Sequence, residues 1–389
     1  MKREAPAKKP QKPNIFVRLL ILVITGALVA GALLLVVYRD RLNLDAFKRW
    51  LAYRSLETSD TGQAAPFTHA GGDKLSFAYL DSGILLSSAA GAHYYSFSGE
   101  SYAEEVQAME HPVLSASSTA GVVYDAGGQS LFLFRDGREA LNLSLDGGGD
   151  LLSARVNDSG WLAVTAQQSG YKGVVTVYNA SGSEVIQIRL SSTFVVDAVL
   201  SPDCRTVAVI TMDQEGGVFQ SKVLFYPVDK EEPSAQASLD GATVLDLDYE
   251  NGQLWVLGED CLMVVSDDGQ EVASYSFGRS YLKGCSLGGD GFALLLLGSY
   301  RAGSANQAVT INNKGERIAD LTLSGQVLDF DGAGNYCALL SGSALTIYTS
   351  DFREYAVLDS TQGARYTALS SNGSAMLADS QQAWLYIPS

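Results

Sequence analysis

The chain of 389 residues is long enough for two or three ordinary domains and carries a formal charge of −16. The acid is concentrated, because residues 56–389 hold 16 Lys and Arg against 40 Asp and Glu, a net of −24. Such a region repels nucleic acid and anionic lipid alike, which excludes nucleic acid as a partner and makes the region stand off a membrane surface.

Residues 1–18 form a basic tail expected in the cytoplasm, with Lys2, Arg3, Lys8, Lys9, Lys12 and Arg18 against the single acid Glu4. Residues 19–38 then run for 20 positions without a charge, bounded by Arg18 and Arg39. At 1.5 Å per residue a helix of that length spans the roughly 30 Å of a bilayer core, so a transmembrane helix is expected here. A cleaved signal peptide competes, but its apolar region runs only about 7 to 15 residues and ends at a small-residue site, which this chain lacks. The segment is therefore read as an uncleaved signal anchor. The basic tail favours a cytoplasmic N-terminus and an extracytoplasmic remainder, although Arg39, Arg41, Lys48, Arg49 and Arg54 make the far flank basic too.

Asn43 is placed to cap a juxtamembrane amphipathic helix over residues 43–56, with Asp45 in its first turn. Leu44, Phe47, Trp50 and Leu51 recur at helical spacing beside Lys48, Arg49 and Arg54. Two placements stay open: a helix lying among lipid headgroups, or a neck packed on the following domain. Residues 57–72 read as a linker rich in Ser, Thr, Gly and Ala.

From residue 73 to 389 the chain repeats. Gly83, Gly121, Gly160, Cys204, Gly252, Gly291, Gly334 and Gly373 each sit between a polar turn and an apolar run, at spacings of 38 to 48 residues. A second marker keeps phase with the first: strands such as VTVYNASGSE (175–184), LMVVSDDGQE (262–271) and LTIYTSDFRE (345–354) belong to a series read as alternating, ending in Tyr or Phe and running into a turn of Asp, Asn or Gly. Self-similarity near 40 residues built from short strands marks a β-propeller with one four-stranded blade per repeat. Eight blades are expected, with seven as the alternative if the first and least regular copy is miscounted. The eighth copy stops after three strands, at WLYIPS. The segment from Ala65 to Ala70 is placed to supply the missing outer strand and close the ring.

The chemistry-bearing positions are few. First strands align as VVDA, VLDLD and VLDFD, which puts Asp197, Asp246 and Asp329 at one level of a central channel; Ser115, Ser153, Gly284 and Thr367 stand at the same level elsewhere. Such carboxylates could gather at a channel mouth and bind a cation or basic group, or simply accept backbone hydrogen bonds, a role Ser and Thr fill equally well. Three long connections between second and third strands, at 167–173, 212–222 and 298–307, should emerge on one face and carry Tyr171, Lys172, Phe219, Tyr300 and Arg301. Aromatics and cations on long loops of a rigid scaffold are binding hot-spot types. The four cysteines make no C-x-x-C pair and no metal spacing with His69, His93 and His111, so unpaired core thiols, no metal and no cofactor are expected. No nucleophile elbow, zinc-protease helix, phosphate loop or EF-hand spacing occurs.

SPDCRTVAVI (201–210) resembles the repeat of WD40-like and TolB-like propellers, without their WD and GH dipeptides. A single span followed by DRLNLDAFKRWLAYRSL (40–56) and GYKGVVTVYN (170–179) is similar to clostridial membrane-anchored propellers of unknown function. That resemblance covers nearly the whole chain, assigns no catalytic residues and implies a Gram-positive cell surface. The expectation is a non-catalytic platform in the cell envelope that binds a protein or peptide. The alternative is a propeller that binds or cleaves wall glycan, which would need paired carboxylates in a cleft.

Overall fold

Short apolar strands separated by polar turns pair with their sequence neighbours, and here they do so in eight four-stranded antiparallel sheets. The computed structural model describes residues 19–26, 44–145, 149–239, 241–250 and 252–388. Blades one to seven span residues 76–106, 112–144, 151–190, 194–238, 244–276, 281–322 and 327–358; blade eight is built from residues 366–386. The seven-blade alternative fails, because the irregular first copy forms a complete sheet.

Blade eight has three consecutive strands, and its fourth is Phe67–Thr68 from the other end of the domain, with Phe67 opposite Ala383 and Thr68 opposite Gln382. Two further bonds lengthen the contact, from Ala64 N to Leu385 O at 2.9 Å and from His69 N to Gln381 O at 3.0 Å. Tyr53 reinforces the same seam. Its hydroxyl lies 2.5 Å from that of Tyr79 in blade one and accepts from Asn372 Nδ2 of blade eight at 3.2 Å. Closing the ring with a strand from the opposite terminus removes an edge that would otherwise be open.

The apolar interior is divided rather than central. Among the described residues nine buried clusters lie between consecutive blades, two of them between one and eight: examples are Phe225 with Val256 between blades four and five, Trp255 with Leu295 between five and six, and Ile84 with Met376 between one and eight. Second strands such as Phe292–Gly298 are buried throughout because both faces of each sheet meet a neighbour. Each blade is thus held mainly by the two beside it.

The repeat marker has two physical causes. In six copies it stands in the turn from first to second strand with positive φ, as at Gly160 (φ 73) and, unusually for a side chain, Cys204 (φ 59). Gly83 and Gly121 are required for space instead: a Cβ at Gly83 would lie 2.1 Å from Tyr95 O, and one at Gly121 2.4 Å from Leu85 Cδ2.

Before the propeller, residues 19–26 are helical and a second helix runs Leu44–Tyr53, ending before the expected Leu56. On it Phe47, Trp50 and Leu51 are exposed, with the Phe47 and Trp50 rings 6.0 Å apart. Residues 27–38 of the expected span, the tail 1–18 and Asn43 lie outside the described residues. Among the described residues no helix is long and apolar enough to cross a membrane.

Candidate functional site on the loop face and in the channel

Antiparallel pairing fixes which segments share a face. First strands begin opposite the ends of second strands, as Phe194 opposite Met212 and Tyr281 opposite Gly298. The starts of first strands and the second-to-third-strand loops therefore share one face, called here the loop face. First-to-second and third-to-fourth turns share the other, the turn face.

Five first strands carry a bulge near their beginning, at Leu152, Val196, Leu245, Lys283 and Leu328, each skipped in the register with the second strand. An extra residue in one strand re-aims the side chains around it. Here it leaves Val196, Leu245 and Leu328 exposed at the rim of the channel, with Phe194 and Tyr281 beside them. The residue after each of these three aliphatics is one of the aligned carboxylates. The sequence signal for this apolar collar was the hydrophobic position before each Asp in VVD, VLD and VLD, which an eye on the carboxylates passes over.

The carboxylates do not form one group. Asp197 and Asp246 are joined by Arg155 of blade three, whose Nη2 lies 2.7 Å from Asp197 Oδ2 and 2.6 Å from Asp246 Oδ1. Arg155 thereby ties three consecutive blades. It stands two residues after Ser153, the place taken by Asp248 and Asp331 in blades five and seven, and no spacing rule singled it out. Asp329 is separate: its Oδ2 accepts from Thr367 N at 2.8 Å and its Oδ1 from Phe330 N at 3.0 Å. Asp331 repeats the pattern with Leu369 N and Gly332 N, both at 2.8 Å. Blade seven is therefore clamped to blade eight by two carboxylates that accept from its innermost strand.

Enclosure in the channel, with Asp246 nearby, pushes the Asp248 carboxyl up to about 7. Enclosure alone raises Asp329, and it carries Asp331 to about 6 against the amide bonds that favour its charged form. Glu250 is driven to about 7 by burial and by the charge of Asp290. One arginine cannot neutralise so many acids in a confined space, so protons do the rest. No group of three or more His, Cys, Asp or Glu among the described residues is arranged to hold a metal ion.

The expected loop residues do share one face. Tyr171 is exposed, while Lys172 donates to Ser192 O at 2.6 Å and lies 4.8 Å from the centre of the Phe194 ring. Tyr300 is 78% exposed at the head of a loop whose base is fixed by Asn306 Nδ2 on Ser299 Oγ (2.7 Å) and by Lys283 Nζ on Arg301 O (2.7 Å). The segment 212–222 is not a loop: strands Thr206–Glu215 and Val218–Pro227 continue through it as a hairpin that carries Phe219. Blade five has only Glu259 and Asp260 between its second and third strands, so its loop face is low. Over it lies an open cleft of about 910 Å³, bordered by Leu245, Glu259, Cys261, Arg279, Tyr281 and Arg301.

Residues 53–362 match the family of unknown function DUF5711. The chain belongs to that family. No curated protein matches it. Among solved structures it is similar to the C-terminal WD40 domain of Sif2, with a TM-score of 0.58 at 13% identity over 83% of this chain and 99% of that one. The computationally designed Ika8 protein gives a TM-score of 0.58 at 12% identity, covering 82% and 97%. BamB from Moraxella catarrhalis gives 0.50 at 14% identity, covering 83% and 96%. These likenesses extend to the fold alone, that of a β-propeller.

Proposed function

We propose that this member of the DUF5711 family is a non-catalytic platform that binds a protein or peptide on its loop face. The observation that carries the reading is that Val196, Leu245, Leu328, Phe194, Phe219, Tyr281 and Tyr300, all at the loop-face ends of their strands or in the loops there, are exposed. Large apolar side chains gathered at one face of an otherwise acidic domain lose little by leaving water on docking, and they are hot-spot types. The charge-free run at 19–38 supports a single-pass anchor with the propeller outside the cell, as in the clostridial proteins the sequence resembles. The chain enters the domain at Tyr53, beside Asn372 on the turn face.

The glycan alternative is less well supported. Asp197 and Asp246 share one arginine, and Asp329 and Asp331 are occupied with backbone amides. The test is site-specific photocrosslinking in intact membranes from positions 171 and 301. We expect one discrete protein adduct from each position, absent when the probe is moved to Lys314 on the turn face. Adducts that are unchanged after Tyr171→Ala, Tyr300→Ala and Arg301→Ala are combined with a probe at Leu245 would refute the loop-face assignment.

A further inference from the structure

The hairpin of blade four differs from every other second-to-third-strand connection. Its two strands are 10 residues long, whereas second strands elsewhere have four to seven. The first strand of the blade stops pairing at Phe194 opposite Met212, and the fourth stops at Ser238 opposite Lys222. Beyond them Asp213 pairs with Gln220, Gln214 with Phe219 and Glu215 with Val218, and these rungs pair with nothing else among the described residues. Three rungs at ~3.3 Å per residue make an arm standing about 10 Å off the blade. Gly216 (φ 60) and Gly217 (φ 85) close it with two consecutive left-handed residues, the geometry that keeps a hairpin twisted and stiff. Val218 and Phe219 are each 60% exposed at its tip.

An arm of this kind offers two unpaired strand edges, which folded proteins otherwise cover, twist away or charge. The charges near its base are mixed, with Asp213 on the same side of the hairpin as Lys222, but cations outnumber it there. Lys222 stands on the last rung of the blade at the arm's base, while Lys172 and Arg189 stand on the loop-face side of blade three, and none of the three pairs with a described carboxylate. Arg279, Lys283 and Arg301 stand over blades five and six without a described ion pair, Lys283 donating to Arg301 O, and Glu259 and Asp260 border the same cleft. On the turn face Arg135, Arg205, Arg317 and Arg353 lie within 3.6, 3.9, 3.6 and 3.0 Å of Asp136, Asp203, Asp320 and Asp351, whereas Arg138, Lys230 and Lys314 there have no described ion pair. Asp213 places acid on the arm's first free rung, so the cationic ground lies at its base and flanks.

We propose that the blade-four arm captures an extended segment of a partner protein as an added β-strand, and that this segment carries Asp or Glu among aliphatic and aromatic residues. Main-chain bonds to the arm's edge supply the grip, Val218 and Phe219 supply apolar contact, and Lys172, Arg189 and Lys222 select for acid. A basic segment would meet these cations and be disfavoured at close range, although the domain as a whole attracts it. The proposal rests on the loop face being the docking face and adds how it docks and what it selects.

The test uses the full chain in detergent and a phage-displayed library of short random peptides as the probe. Binders should be enriched in Asp, Glu, Val, Ile and Phe. Their affinity should fall more than about 30-fold when residues 213–220 are replaced by an Asn-Gly turn, and about 10-fold in Lys222→Glu. Amide exchange at 213–220 should slow on binding. Should the shortened chain not fold, Phe219→Asp with the exchange measurement replaces it. Basic binders, or acidic binders indifferent to the arm, overturn the proposal. If those indifferent binders are lost in Tyr300→Ala with Arg301→Ala, the loop face survives as a docking face without strand capture. A library yielding no binder sensitive to any loop-face change overturns both.

Discussion

The two faces of this propeller use the same strands for different ends. On the turn face, neighbouring blades are stitched together: Ser118 donates through N and Oγ to Asp158 at 2.9 and 2.8 Å, Asn157 Nδ2 donates to Ser201 O at 3.0 Å, and Asp290 N donates to Gly334 O at 2.7 Å. On the loop face, bulges, a projecting arm and a tall blade-six loop leave apolar and cationic side chains outward. The channel between them belongs to the turn face in character, since its carboxylates serve Arg155 or backbone amides. A ring held by inter-blade contacts at one end can leave the other end available, because each blade needs only one firm attachment to each neighbour.

That contrast can be broken most severely at Arg155. Arg155→Met leaves Asp197, which is buried, without its partner and should lower the unfolding free energy by about 3 kcal/mol, measured by denaturant titration. Adding Asp197→Asn should recover part of the loss. If Arg155→Met is as stable as wild type, the channel is not a fastening.

The pH dependence comes next. Asp248 and Glu250 hold protons to about pH 7 and Asp331 to about 6, whereas in the unfolded chain they release them near 4. Between those limits the folded state binds more protons, so stability should be greatest at the acid end and fall as pH rises from about 4 to 7. Asp248→Asn should remove much of that slope, gaining about 2 kcal/mol at pH 8 and little at pH 5. A flat stability profile across this range would contradict the crowding of the channel.

Tyr53→Phe should cost about 1.5 kcal/mol by removing the hydroxyl that joins Tyr79 and Asn372 across the seam, and should raise amide exchange at Phe67 and Thr68. Cys204→Gly should gain about 1 kcal/mol, read as a higher denaturation midpoint, because the turn holds φ near 59 there. The smallest effect on stability is expected on the loop face. Leu245→Ser, Tyr300→Ala and Arg301→Ala should each stay within about 0.5 kcal/mol of wild type while the crosslinked adduct is lost.

Much of the scaffold was legible in the chain itself. The repeat period, the two strand markers and the truncated last copy led to eight blades closed by a borrowed strand, because turn geometry and alternation are local and each blade repeats them. The same locality placed Tyr171, Lys172, Phe219, Tyr300 and Arg301 on one face. It failed at segment 212–222, expected as a long loop, because the continuation of both strands up to Gly216 and Gly217 depended on pairing.

The sequence by itself determined the blade count, the closure and the sidedness of the loops, since these follow from periodicity and from antiparallel connection. Only the tertiary structure decided that Arg155 would reach two other blades, that Asp329 would fasten blade eight, and that the residue before each aligned carboxylate would turn outward. Those outcomes depend on how eight sheets lean together around one axis, and no local pattern encodes the distance from one blade to the next.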